Sequence, residues 1–253
     1  MPKMCDKTAS ICELGEEPRR PEDGACPRED AAPLSGFVAM PEGTDRMLAM
    51  QDRETALAKP SVLLHSCCGP CSTACLERLT DRYDVTVFFY NPNITDAAEY
   101  ELRRDAQLKV IERFNADLAY DAKVSFLEGP YEPQAWLAYV TGYEEEPEGG
   151  LRCGKCFTMR LEKTALTASL HNFDCFTTTL TVSPHKDSDT ILAIGRRLGL
   201  QYQIEFLAEN FKKKDGYKRS VELSKKYDIY RQDYCGCSFS EWDGCHVGIG
   251  KEK

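Results

Sequence analysis

From residue 61 onward, short apolar runs alternate with longer stretches in which apolar residues recur every three or four positions. The run SVLLHS reads as a buried strand, followed by a turn and a helix over 72–80. VTVFFYNPN is a second strand that stops at Asn91-Pro92-Asn93, residue types that favour a turn. A long helix is expected over 96–115, with Leu102, Ala106, Val110 and Phe114 four apart as its buried row. KVSFLEG is a third strand and 133–139 a short helix. The acidic loop GYEEEPEGG leads into LRCGKCFTMRLEKTALTASLHN, expected to be helical after its cysteines. DCFTTTLTVSP is a fourth strand, 188–198 a helix and YQIEFL a fifth strand, and a basic helix and the tail YRQDYCGCSFS follow.

Strands separated by helices of this length predict an α/β fold with a mainly parallel, doubly wound sheet. Ligands in such sheets bind beyond the carboxyl ends of the strands. Three features fall there: CCGPC after the first strand, NPN after the second and TVSPHKD after the fourth. Residues 1–58 are different, rich in Pro, Glu, Asp and Arg without sustained strand patterning. They are expected to form a mostly flexible extension, with one short helix over 45–57, ahead of an α/β catalytic domain over 59–253.

Composition narrows the location and the partners. No run of eighteen apolar residues occurs, so no membrane span is expected, and MPKMCDKTASICELGEEPRRPEDG lacks the apolar core of a secretory signal. The expected location is the cytoplasm. A net charge of −9 argues against non-specific nucleic-acid binding, but leaves room for a local basic face. ENFKKKDGYKRSVELSKK, residues 209–226, is such a stretch, with seven Lys or Arg against three Asp or Glu. Its plainer reading is a solvated helix face.

The cysteines change the picture most. Thirteen are present, and a reducing cytosol disfavours a disulfide framework. Cys5, Cys12 and Cys26 lack tight spacing and read as non-ligand thiols, while Cys75 and Cys175 sit in apolar stretches and read as small buried hydrophobes. Seven others stand out by tight spacing and form three groups: Cys67-Cys68-x-x-Cys71, Cys153-x-x-Cys156 and Cys235-x-Cys237. Seven thiols exceed what one tetrahedral zinc takes, and no zinc-finger histidine spacing accompanies them. Four thiolates can hold an iron–sulfur cubane, leaving the others for a second metal. Helix starts favour anions, so Cys68 and Cys71 are expected to be acidic thiols, suited to metal ligation and to thiol–disulfide exchange alike. Two rival readings are therefore a thioredoxin-like oxidoreductase using Cys68 and Cys71, and a structural-zinc protein that binds RNA. The neighbouring residues are similarly two-sided. His65 reads as a packed core histidine. Arg152 and Arg160 could pair with a phosphate, offset an anionic cluster or stand as exposed helix charges. His185, Lys186 and Asp187 could donate a proton or hold substrate, or Asp187 could only cap the following helix. Tyr90, Asn91 and Asn93 offer hydrogen-bonding groups at a strand end or simply form the turn. A nucleotide hydrolase is disfavoured, because no Gly-rich phosphate loop of the usual spacing occurs.

Taken together, LLHSCCGPCS, FFYNPNI with its EYELRRD, LRCGKCFTMRLEKTA, FTTTLTVSPHKD and YRQDYCGCSFS resemble the cobalamin-independent epoxyqueuosine reductases, the QueH family. The resemblance runs from about residue 61 to 240 and excludes the first 58 residues. It implies an adenine-nucleotide-hydrolase-like (Rossmann-like) fold and a reductase that converts epoxyqueuosine to queuosine in tRNA, the last step of queuosine biosynthesis. It further implies a four-iron–four-sulfur (4Fe-4S) cluster and a second mononuclear metal, iron or else zinc. The ligands so implied are Cys67, Cys68, Cys153, Cys156, Cys235 and Cys237. Some members carry Asp where this chain has Cys71, which leaves Cys71 between metal ligand and redox thiol. Turning an epoxide into an alkene needs two electrons, two protons and loss of water, and the acid is sought among His185, Tyr90 and a Cys thiol. With tRNA as substrate, Arg103, Arg104 and the basic segment become candidates for phosphate contacts, beside Asn91, Asn93, Arg152, Arg160 and Lys186. An electron donor is required but not identified by these residues, and the oligomeric state is left open.

Overall fold

The computed structural model describes residues 59–117 and 123–240. The expected helix over 45–57 and Cys5, Cys12 and Cys26 lie outside the described residues. Five parallel strands, β1 (Ser61–Ser66), β2 (Asp84–Phe89), β3 (Ser125–Glu128), β4 (Cys175–Thr178) and β5 (Glu205–Phe206), pair in the order β3-β2-β1-β4-β5. All four pairings are parallel, and His65 stands opposite Phe88 on one side and Thr178 on the other. The expected α/β, parallel-sheet architecture is thus the one observed. Because the chain runs outward from β1 to β3 and then crosses back to β4, the loops after β1 and β4 diverge at a topological switch point. In open α/β sheets this is where ligands bind.

The apolar runs explain why the sheet is covered on both faces. Val62 and Leu64 point into one layer, with Leu76 and Leu79 of α1 (Gly69–Leu79) and Val110 and Phe114 of α2 (Ala97–Asp117). Leu63 points into the other, with Leu161 and Ala165 of α4 (Leu151–Leu170) and Ile191 of α5 (Ser188–Tyr202). The two-residue alternation of a strand divides them this way. Each such fully buried side chain contributes about 1.5–3 kcal/mol of burial free energy. A short helix, α3 (Pro133–Tyr139), and the basic helix, α6 (Gly216–Lys226), complete the described helices.

Four details of the expected elements shift. First, α1 starts three residues early, at Gly69, with Cys68 as its extended N-cap and a proline in the first turn, a position where Pro is tolerated. Second, α4 starts at Leu151, before its cysteines. The acidic loop folds back so that Glu146 Oε2 accepts from the Leu151 amide at 3.0 Å, satisfying one of the free N–H groups of a helix start. Third, the fourth strand ends at Thr178, whose hydroxyl accepts from the Leu180 amide and opens a 3₁₀ turn over Thr179–Val182. The fifth strand likewise shrinks to two residues. Fourth, Leu102 is 51% exposed. A row of residues four apart drifts about 40° per step around a helix of 3.6 residues per turn, so Leu102 and Phe114 cannot share a face. The buried face of α2 instead holds Tyr100, Arg103, Gln107, Val110 and Phe114.

Candidate metal centre

The first cysteine group sits at the switch point. Cys67 follows directly on β1, its amide donating to Thr179 Oγ1 at 3.4 Å and its sulfur 3.7 Å from the same oxygen. Cys68 caps α1 and Cys71 lies in its first turn. The three sulfurs lie within 4.8 Å of one another, an arrangement able to hold a metal ion. The Sγ atoms of Cys67 and Cys68 are 3.8 Å apart, the spacing of about 3.8 Å expected for two tetrahedral thiolates at ~2.3 Å from one metal. Gly69 makes this turn possible: a Cβ there would stand 2.6 Å from the Ala106 carbonyl oxygen of α2.

The other four thiols line one cleft. Cys153, Cys156, Cys235 and Cys237 surround it, with Trp136, Arg152, His185 and Lys186. Cys153 accepts from the Gly149 amide at 3.2 Å. Cys67 and Cys153 pack against the same apolar cluster, which joins the two groups. Electrostatics joins them too: Lys186 and Arg160 act on both Cys67 and Cys235.

The thiols divide unevenly. Hydrogen bonds from Cys68 and then Cys71 hold Cys67 well below the usual thiol range, helped by Arg160 and Lys186. The Cys67 thiolate in turn pushes Cys68 up to about 11 and Cys71 well above the ordinary value. The acidic thiol is therefore Cys67, and not Cys68 or Cys71 as helix placement suggested, because ionisation of one thiol in a contiguous trio opposes ionisation of the next. A hydrogen bond from Cys237 lowers Cys235 in the same way and leaves Cys237 raised. Burial pushes Cys156 up to about 11. For Lys186, burial opposes the charge, but Cys235, Cys67 and Cys71 outweigh it and hold the ammonium charged.

Several polar residues named from the sequence are turned inward. His65 is fully buried, with Nδ1 2.9 Å from Thr178 Oγ1 and Nε2 3.2 Å from the Tyr90 carbonyl. Only a donor suits a carbonyl, so Nε2 carries the proton and Nδ1 accepts from the threonine. Burial, then the Arg160 charge, lowers its pKa to about 3, so it is a neutral core histidine. Asn91 is buried, donating through Nδ2 to the Ser66 carbonyl at 2.9 Å and accepting from Arg160 Nη2 at 2.7 Å. Asn93 is buried beside it in the turn, with Oδ1 unpartnered. Arg103 pairs with Glu99 at 2.6 Å and donates to the carbonyls of Cys235 at 3.0 Å and Tyr234 at 3.2 Å. It thereby clamps the Cys-Gly-Cys turn, where Gly236 adopts φ +96° against the guanidinium. Arg152 is also buried and donates to the carbonyls of Tyr143, Glu144 and Glu146, closing the acidic loop over the start of α4.

Others face outward. His185 is exposed at the lip of the cleft, Lys186 is half-buried in it, and Asp187 caps α5 by accepting from the Asp189 and Thr190 amides. Arg104 is partly exposed and pairs with Asp105. The Tyr90 ring is buried and its hydroxyl donates to Glu132 at 3.2 Å. Cys75 and Cys175 are buried in the core, as their apolar surroundings suggested. The sequence reading missed Thr179, Trp136 and Glu132. The threonine run looked like plain strand, and neither Trp136 nor Glu132 belongs to a spaced motif.

Comparison with known proteins decides the family. The model of the epoxyqueuosine reductase family QueH matches residues 62–243. The chain belongs to the QueH family. It is 46% identical to epoxyqueuosine reductase QueH of Streptococcus pyogenes serotype M1, over 74% of this chain and 72% of that one. It is 44% identical to the Staphylococcus epidermidis protein of the same name, over 72% and 76%. For the Thermotoga maritima QueH the identity is 39%, over 71% of this chain and 90% of the other. All three cysteine groups lie inside the QueH match. Membership makes the chain an oxidoreductase of the epoxyqueuosine reductase kind. Among the described residues no helix is long and apolar enough to cross a membrane.

Proposed function

We propose that this chain reduces epoxyqueuosine to queuosine in tRNA at a thiolate-held metal centre, working in the cytoplasm with an electron-donor partner. The observations that carry the reading, in a QueH chain, are the Cys67–Cys68–Cys71 trio at the switch point of the sheet and the cleft lined by the other two cysteine groups, with Lys186 and Arg160 acting on both. The donor set suits two centres. Cys67, Cys68 and Cys71 are as close as ligands of one ion require, so Cys71 joins a mononuclear site, of iron or zinc. Cys153, Cys156, Cys235 and Cys237 line a cleft instead, which suits a 4Fe-4S cluster whose thiolates each bind a different iron. When bound, these groups supply one-electron reduction and Lewis acidity.

The protein's own residues supply position and protons. The overall change consumes two electrons and two protons, breaks both carbon–oxygen bonds of the epoxide and releases water. His185, exposed at the cleft lip, delivers a proton to the departing oxygen. Lys186 keeps its charge beside the thiols and holds that oxygen or a nearby phosphate. Tyr90 keeps its hydroxyl on Glu132 and shapes the wall behind the Asn91–Asn93 turn. Arg103 and Arg152 act as struts of the ligand-bearing loops, a role their burial favours over phosphate contact. The tRNA phosphates then fall to Arg104 and to the lysines of the basic segment, which reaches the cleft through Lys212 Nζ on the Lys186 carbonyl at 3.0 Å. This ordering leaves the thioredoxin-like and zinc-only readings without a use for the shared cleft.

The test is an anaerobic assay on epoxyqueuosine-containing tRNA, with iron and sulfide measured per chain. Single Cys→Ala changes at Cys67, Cys153 and Cys235 are expected to lower turnover at least a hundredfold, while Cys75→Ala retains it. Full turnover in the Cys153 or Cys235 variant rejects the shared site. A colourless wild-type protein with a titratable disulfide rejects the metal centre.

A further inference from the structure

Arg160 has an unusual setting for a guanidinium. It lies on α4 one turn beyond Cys156 and two turns beyond Cys153, on the same helical face. The residue is 1% exposed. Nη2 donates to Asn91 Oδ1 at 2.7 Å, and Asn91 donates to the carbonyl of Ser66, the residue before Cys67, at 2.9 Å. That chain places the guanidinium between the second cysteine group and the first. Nε is buried without a partner. Among the described residues, no carboxylate lies within ion-pair distance of it.

A buried, uncompensated cation is strongly disfavoured, and arginine does not escape the cost by losing its proton. Asn91 supplies a dipole and no charge. The groups within reach that carry negative charge are the sulfurs of the ligand set: burial opposes the Arg160 charge, and Cys156 first, once ligation has ionised it, then the thiolates of Cys67 and Cys235 outweigh it. Lys186 also faces these thiols, but it stands at the cleft, half-buried on a flexible stem, whereas Arg160 is enclosed and held by Asn91.

We propose that Arg160, fixed by Asn91, is the permanent counter-cation of the thiolate site and sets the reduction potential of the centre held there. The inference rests on reading the site as a redox metal centre. Reduction adds one electron and moves no atom, so the reduced centre is the more negative state. A fixed positive charge in a low-dielectric surrounding stabilises that state and raises the potential. Arg160 is thus a positioning and tuning residue, acting on the reaction through the ligand set.

The test uses the full chain purified anaerobically: wild type, Arg160→Lys, Arg160→Gln and Asn91→Asp. Iron and sulfide are counted for each, and the potential is read by a spectroelectrochemical titration. Arg160→Gln removes the charge and is expected to make reduction at least tenfold less favourable, about 59 mV for a one-electron couple. Arg160→Lys keeps the charge and should stay within threefold of wild type. Asn91→Asp keeps the guanidinium but neutralises it with an adjacent carboxylate, so it should shift the same way as Arg160→Gln. It also stands in should that variant fail to fold. A metal-loaded Arg160→Gln or Asn91→Asp protein with the wild-type potential overturns the inference. If the wild type itself holds no reversible redox centre, the fault lies in the functional reading, and the inference falls with it.

Discussion

Gly69 shows how much of the site hangs on single atoms. The residue follows the N-cap cysteine as the first of α1, and the space for a side chain is taken by the backbone of α2. Ala106 cannot retreat without moving the helix that carries it, so Gly69→Ala forces α1 and α2 apart. The expected cost is about 1–3 kcal/mol, as for other overpacked positions, together with a loss of bound metal as the Cys67–Cys68–Cys71 spacing opens. Urea denaturation and metal counting on the variant check it; an unchanged midpoint with full metal would show that the contact relaxes freely. At this scale the sequence told the cysteines apart well. Cys75 and Cys175, with apolar neighbours, are core residues, whereas the tightly spaced thiols gather into one trio and one cleft of four. It told the arginines apart poorly, because a guanidinium is equally at home on a phosphate or on carbonyls. The carbonyls that hold Arg103 belong to residues 131 and 132 positions away.

At the scale of elements, α1 and α6 pack side by side through a charged seam. Arg219 on α6 reaches Glu77 on α1 with Nε–Oε2 at 2.9 Å and Nη2–Oε1 at 2.7 Å. Both side chains are more than 40% exposed, so solvent screens the pair and its worth is about 0.2–1 kcal/mol. Glu77→Gln should lose that amount at neutral pH and less in high salt. The hydrogen bond from Arg219 lowers the Glu77 pKa. A depressed carboxyl contributes stability above its unfolded pKa, and that contribution is lost as pH falls through the folded value. The gap between wild type and variant should therefore close in acid, as read by denaturant midpoints from pH 7 downward. A gap that persists in acid and in salt would mean that the glutamate acts through packing. Element existence and order were legible in the hydrophobic pattern, whereas boundaries were not. The start of α4 depends on Glu146 folding back, and the end of β4 on a threonine hydroxyl. Both are side-chain choices that periodicity does not register.

The whole molecule explains which part depends most on metal. Two cysteine groups stand on regular elements, at the end of β1 and in α4, but Cys235 and Cys237 lie in a segment without helix or strand. That segment is held by Arg103, by the Thr95 amide on the Gly236 carbonyl at 3.1 Å, and by Ser240 closing on Cys237. Segments with few backbone bonds open first, and a ligand that binds only the folded state stabilises it by mass action. Anaerobic removal of metal with a chelator should lower the melting temperature. Hydrogen exchange should rise most over 231–240 and least in β1 and β2. Uniform loss of protection would contradict the tethering role. By itself, the sequence determined the sheet-and-helix alternation, the three thiol groups and the family, because each is written in local spacing or in a run of matching residues. Only the tertiary structure decided which polar side chains meet the thiols and which brace the fold. A buried charge is fixed by partners that the chain brings together across the switch point, such as Asn91 for Arg160, and no local pattern encodes such a partner.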